Sequence, residues 1–275
     1  MRKIIVICTC AVLFLSSCTG EFDKVCKMSD NDYKYEYAKE AFAIGKFEHA
    51  SVLLEELITI KKGSDEAQEC LYMLGMAQYC NHDYEAASAT FKKYASSYPN
   101  GLYAEAAAFY VGQSLYESAP EPRLDQSPTV GAMNAYQQFL DLFPDSKLRP
   151  EAQKRLYELQ DKLVMKELLS AELYFNLGGY FGNINKNDES NYTASIITAQ
   201  NALKQYPYSK YREDFALLIM KSKFQLAENS TEDRRLDRYR DAEDECYGFL
   251  NEYPDSKNIS LANKYIAKCK KIVKD

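Results

Sequence analysis

The 275-residue chain has no tryptophan and only two histidines. With so little imidazole, a histidine-built metal centre or a histidine general base has few places to sit. Cysteine pairs at CxxC spacing are missing, which excludes the usual zinc and dithiol patterns, and no P-loop, GxSxG or HExxH motif occurs. A basic excess is also lacking. Lys and Arg number 34 against 40 Asp and Glu, a net charge of −6 that becomes −8 without Arg2 and Lys3. Phosphate neutralisation needs a basic face, so nucleic acid is not an expected partner. Acidic pairs such as Glu55–Glu56, and Asp32 near Glu36, are spaced as helix-surface charges. The chain therefore reads as a non-enzyme that needs no cofactor or metal.

No apolar run is long enough to span a bilayer, which takes roughly 20 residues. What the amino end does contain is MRK followed by an apolar run of 12, residues 4–15, ending in LSSC at 15–18. This resembles the bacterial lipobox, in which a signal segment is cut before a cysteine that carries lipid. The resemblance implies a signal peptide at 1–17, lipidation (palmitate among the acyl chains) at Cys18, and a lipidated linker over 18–31. Several acyl chains make such anchoring stable. Thr19, rather than Asp, follows the cysteine, which by analogy implies sorting to the outer membrane. The next residues lack a dense acidic run, consistent with an orientation facing the periplasm. Beyond the signal and the lipid site, five cysteines remain: Cys26, Cys70, Cys80, Cys246 and Cys269. They are expected to act as small buried hydrophobes.

The remaining chain repeats itself. YPNGLYAEAA (98–107) returns as FPDSKLRPEA (143–152), YPYSKYREDF (206–215) and YPDSKNISLA (253–262). Each copy sets an aromatic and a proline before a new helix start, with Tyr98 closing a helix, Pro99 ending it and Gly101 expected to free the turn. Residues 71–99 fit the tetratricopeptide pattern, a helix-turn-helix of about 34 residues. Gly75 and Ala87 take its small positions, where two helices cross closely, and Phe91 fills the groove beneath. Looser copies run over 33–60, from Val111–Gly112 to Pro144, from Leu177–Gly178 to Pro207, and over 209–254. The insert ESAPEPRLDQSP (117–128) reads as loop, and NKNDES (185–190) is a polar insert in the fourth copy. Pro144 and Pro207 lie 63 apart, against 45 and 47 for their neighbours, which predicts one extra or extended helix between them. The expected fold is all-α: a TPR-like α-solenoid of about five helix-turn-helix repeats with a C-terminal capping helix at 258–273. Repeats 1–3 occupy 32–143, and repeats 4–5 with the bridging and capping helices occupy 144–275.

A stripe at i, i+4, i+7 on the first helices faces the concave side in this pattern. It reads Tyr35, Lys39, Phe42, then Tyr72, Met76, Tyr79, then Phe109, Gln113, Tyr116, and its aromatics recur every 37 residues. None holds a signature core position of the repeat, so the stripe is a candidate peptide-binding surface, with aromatics and a flexible Met for side-chain pockets. RRLDRYR (234–240), interleaved with acids, reads as a solvated helix start, and His49 and His82 as polar residues of inter-helix turns.

LSSC, the repeat order, the YPNG and YPDS junctions, and the long EAQKRLYELQDKL (151–163) together resemble the BamD family, the TPR lipoproteins of the outer-membrane β-barrel assembly machine. The resemblance implies a scaffold. Its C-terminal repeats would bind the BamA-like β-barrel insertase, and its N-terminal repeats would receive unfolded outer-membrane proteins through a C-terminal segment ending in an aromatic. The alternative is a periplasmic TPR lipoprotein adaptor in cell-envelope or cell-division coordination.

Overall fold

The computed structural model describes residues 20–178 and 190–274, which are helical throughout their regular elements, with no strand among them. Signal segment 1–17, Cys18 and most of the 185–190 insert lie outside the described residues. Five helical hairpins follow in chain order: α1 (Asn31–Ala43) with α2 (Phe47–Ile60), and α3 (Asp65–Cys80) with α4 (Tyr84–Ser97). The third pairs α5 (Ala104–Ser118) with α6 (Ser127–Leu142), the fourth α7 (Arg149–Leu177) with α8 (Asn191–Gln205), and the fifth α9 (Arg212–Glu228) with α10 (Glu232–Glu252). Helix α11 (Ile259–Val273) packs on α10 and ends the array. The fold class is all-α and TPR-like. The long spacing between Pro144 and Pro207 is filled by α7, a single helix of 29 residues.

The chain divides into two compact units, one comprising residues up to Pro120 with Ser127–Leu159, the other Glu121–Gln126 with the chain from Gln160 onward. Residues 149–159 of α7 belong to the first and the rest of α7 to the second. In the first unit, apolar clusters lie within and between successive hairpins, built on Leu53, Leu54 and Leu57, then Phe91 and Tyr94, then Tyr136 and Phe139. In the second, Val164 and Leu168 meet Ile196, Phe215 and Ile219, and the last hairpin closes around Met220, Cys246 and Phe249.

One packing device recurs. A Cβ added to Gly75 on α3 would lie 2.6 Å from the Phe91 ring of α4, and one added to Gly112 on α5 would lie 2.9 Å from the Tyr136 ring of α6. Gly178, just past α7, sits under Tyr192 of α8 in the same way. A ring on the second helix thus lies directly against bare backbone of the first. In the first hairpin, Ala38 and Leu54 hold the places 37 residues before Gly75 and Phe91, both fully buried. A larger side chain on one helix is matched by a smaller one on the other, which conserves volume.

The four aromatic-proline junctions share one hydrogen-bond scheme. Each aromatic N–H donates to the carbonyl four residues back (Tyr98 to Tyr94, Phe143 to Phe139, Tyr206 to Ala202, Tyr253 to Phe249), and its own carbonyl accepts from the residue three ahead. Ser146, Ser209 and Ser256 then accept, through Oγ, the N–H two residues on, at 3.0–3.2 Å. At the first junction Gly101 replaces this serine, and its role differs from the turn-freeing one expected. Its backbone has no left-handed φ. Instead, a Cβ there would lie 2.2 Å from Gln68 Oε1 and 2.6 Å from the Tyr94 hydroxyl. Those two groups do the serine's work: Gln68 Oε1 accepts from the Leu102 N–H at 3.1 Å and from Tyr94 O–H at 2.7 Å, while the Tyr94 oxygen accepts from the Tyr103 N–H.

His82 lies in the α3–α4 turn, at φ +63, as its sequence context predicts. His49 does not lie in a turn. Helix α2 begins at Phe47, directly after Gly45 and Lys46, which places His49 in its first turn. There it stacks on Phe22 of a short helix over residues 20–26, ring centroids 3.9 Å apart and planes 6° from parallel. Cys26, Cys70, Cys80, Cys246 and Cys269 are all unpaired; Cys70, Cys246 and Cys269 are buried. Burial pushes their thiols up, to about 11 for Cys70 and Cys269 and about 12 for Cys246.

The glycine contacts give a test with opposite signs. Gly75→Ala and Gly112→Ala each insert a methyl group against a buried ring and should destabilise by about 1–3 kcal/mol. Gly248, inside α10, has nothing within 4 Å of an added Cβ. Gly248→Ala should therefore stabilise by about 0.5–1 kcal/mol through helix propensity. Thermal unfolding of the three variants checks both signs.

Candidate functional site

The candidate stripe runs along the first helices of the first three hairpins, all within the first compact unit. On α1, Tyr35 is only 8% exposed and belongs to the apolar cluster of that hairpin. The ammonium groups of Lys39 and Lys61 lie 4.9 and 5.3 Å from its ring centroid, a cation–π arrangement. Lys39 also reaches Glu36 and Glu69 at 3.8 and 4.0 Å, at the limit of an ion pair. Phe42, half-buried, packs edge-on against Phe47 at the start of α2.

On α3, Tyr72 stacks face to face on Tyr103, centroids 4.4 Å apart, and meets Phe91 on a tilted plane and Tyr94 edge-on. Met76 and Tyr79 flank it, both half-buried against the cluster of the second and third hairpins. Tyr79 meets Tyr84 and Tyr110 edge-on at 5.5 and 5.3 Å. Burial pushes the Tyr72 phenol up to about 12, and it raises Tyr79 and Tyr110 as well. At neutral pH these tyrosines present uncharged hydroxyls on flat apolar bodies.

On α5 the stripe turns inward. Phe109, 7% exposed, packs on Tyr136 and Phe139, and Gln113, also 7% exposed, is enclosed by hydrogen bonds. Gln113 Oε1 accepts from the Tyr136 hydroxyl at 2.7 Å, and its Nε2 donates to Glu117 at 2.8 Å and reaches the Tyr79 hydroxyl at 3.5 Å. Tyr35, Phe109 and Gln113 are thus buried, although none of them holds a signature core position of the repeat. Helix α6 and the start of α7 cover the face that a third repeat would otherwise show. What stays open to a ligand is Lys39 and Phe42, the Tyr72–Met76–Tyr79 segment, and Tyr116.

Tyr116 leads to groups that the repeat pattern does not mark. Its hydroxyl donates to Glu158 at 2.7 Å and accepts from Arg155 at 2.9 Å, and the Arg155 guanidinium lies 4.5 Å from the Tyr116 ring centroid. Arg155 also pairs with Glu158 at 3.1 Å and with Glu151 at 2.9 Å. The donated Tyr116 hydrogen bond, followed by Arg155, holds Glu158 below the ordinary carboxylate value against the opposing effect of burial. The 37-residue recurrence cannot find Arg155 or Glu158, because α7 is not a regular repeat helix. The usable signal is the i, i+4 and i, i+3 charge spacing of Glu151, Arg155 and Glu158.

An arrangement of tyrosine faces, a thioether and an Arg–Glu network offers apolar slots with polar edges. Among the described residues, no cluster of three or more His, Cys, Asp or Glu side chains forms a metal site. No described helix is long and apolar enough to cross a membrane. These hairpins and their aromatic grooves define a TPR-type scaffold, a class that works through protein–protein contact. The family model for YfiO, described as outer membrane lipoprotein, matches residues 27–189. The chain belongs to this family, which is the BamD family of outer-membrane lipoproteins. A solved structure, the TPR2AB-domain:pHSP90-complex of yeast Sti1, matches at 12% identity with a TM-score of 0.38, over 88% of this chain and 99% of that one.

The Tyr116–Glu158–Arg155 contacts carry a pH signature. Glu158 has a lowered value in the folded state, so its stabilising contribution is fully present at neutral pH. That contribution is lost as pH falls below the unfolded value of about 4.5 and through the lower folded one. Glu158→Gln should therefore lower the melting temperature at pH 7. The gap from the parent should narrow towards pH 3 in a series of thermal melts.

Proposed function

We propose that this chain is a lipid-anchored scaffold of the β-barrel assembly machinery, attached through Cys18 to the outer membrane and facing the periplasm. Its N-terminal repeats (32–143) receive extended segments of unfolded outer-membrane proteins. Its C-terminal repeats (144–275) hold the barrel-forming, BamA-like insertase. The reading assigns no catalytic step to the chain: it brings client and insertase together and so raises the local concentration of one near the other.

The observation that carries this reading is the family match over 27–189, which spans the hairpins bearing the half-open aromatic stripe. The stripe's chemistry supports an extended, partly apolar guest. Tyr72, Tyr79 and Tyr116 supply flat, uncharged surfaces, Met76 adapts to differing side chains, and Arg155 lies within reach of a carboxylate. Tyr72 through Tyr103 and Tyr79 through Tyr110 also join two hairpins, so a thermal melt accompanies any variant there.

Native purification of the lipidated protein should recover a barrel-forming insertase, and a photoreactive peptide from the C-terminus of a barrel protein should crosslink to repeats 1–3. Met76→Ala combined with Tyr79→Ala should weaken that crosslink about tenfold or more, as loss of aromatic anchors does. Unchanged crosslinking in a variant that melts normally would remove the stripe from the client site. Recovery of cell-wall factors alone would favour an envelope adaptor.

A further inference from the structure

The residues after the lipidation motif do not form a slack tether. Residues 20–26 are a helix, and Val25, 1% exposed, sits in the cluster of the first hairpin with Ala38, Ala41, Ala50 and Leu53. Phe22 stacks on His49 of α2 and faces Tyr37 of α1 at 6.5 Å, so the short helix touches both helices of the hairpin. The link to α1 is equally occupied. The Lys27 and Met28 N–H groups donate to the Lys24 and Val25 carbonyls, and Asp30 caps α1 by accepting from the Asp32 and Tyr33 N–H groups.

This leaves one residue, Thr19, between Cys18 and the docked helix. A free linker over 18–31 would reach roughly 45–50 Å, whereas the step from Cys18 to Gly20 spans about 7 Å at most. We infer that the first hairpin is held directly against the lipid headgroups: the helix at 20–26 is a rigid spacer that clamps repeat 1 to the surface of the membrane carrying the lipid. The inference rests on the proposal that Cys18 is lipidated. The exposed groups of the segment, Glu21, Asp23, Lys24 and Lys27, are of both signs and nearly balanced, which suits the headgroup zone. The contact is apposition at the surface, with the lipid supplying the anchoring.

The absence of tryptophan makes the test direct, since Tyr33→Trp, at a 47% exposed site on α1, creates a sole indole in the body of repeat 1. The lipidated full-length protein is placed in vesicles of phosphatidylethanolamine and phosphatidylglycerol doped with a dansyl-headgroup lipid. Energy transfer from the indole should be strong. Inserting 14 Gly and Ser residues between Thr19 and Gly20 adds a coil of about 20 Å and should cut the transfer several-fold. Phe22→Ala with Val25→Asp should cut it likewise while α1–α11 keep their helical signal. Mass measurement of the same sample separates the two ideas. A lipid on Cys18 with transfer that ignores the spacer overturns the clamp alone, whereas a Cys18 without lipid overturns both the anchor and the clamp.

Discussion

An aromatic ring lying on helix backbone that carries no side chain is the contact on which this architecture depends. Gly75 under Phe91 and Gly112 under Tyr136 set how closely the two helices of a hairpin approach. That distance decides where the first helix presents its remaining face. Because the ring fills the space, the exchange of Ala38 and Leu54 for glycine and an aromatic leaves the first hairpin built on the same principle. The stripe on α1, α3 and α5 recurs every 37 residues in step with this contact, which the second and third hairpins make as ring on glycine, with Ala38 and Leu54 in its place in the first.

Much of this is legible in the sequence, for a physical reason. Gly75, Ala87, Phe91 and Pro99 are each the residue that a tight crossing, its filler and its end demand, so their order encodes the hairpin. The long α7 is legible as well, because helical periodicity runs unbroken through 149–177 while the spacing of prolines lengthens. The lipobox is legible as a motif but lies where the structure describes nothing.

Other features depend on what covers a face, which periodicity does not report. The stripe positions of α5 look like those of α3 on paper, yet Phe109 is closed in by α6 and the start of α7 and Gln113 by Tyr136, Glu117 and Tyr79, while Tyr72, Met76 and Tyr79 keep an open edge. Gly101 reads as a turn residue because glycine commonly serves turns; its reason is Gln68, distant by 33 positions in the chain. His49 reads as a turn residue because Gly45 lies nearby, and its partner Phe22 belongs to a helix too short to show a period. Arg155 and Glu158 are hidden because the repeat count loses register in α7.

The order of packing has a consequence for how the molecule is made. Apart from α7, the helices touch mainly the one before and the one after, so many of the stabilising contacts close over a short stretch of chain. Such contacts need little loop-closure entropy and can form before the carboxyl-terminal part of the chain is in place. The first hairpin completes its cluster by Ala77, well before the second unit exists. A chain of this kind can gain structure hairpin by hairpin from its amino end, with each new pair of helices templated on a surface already in place.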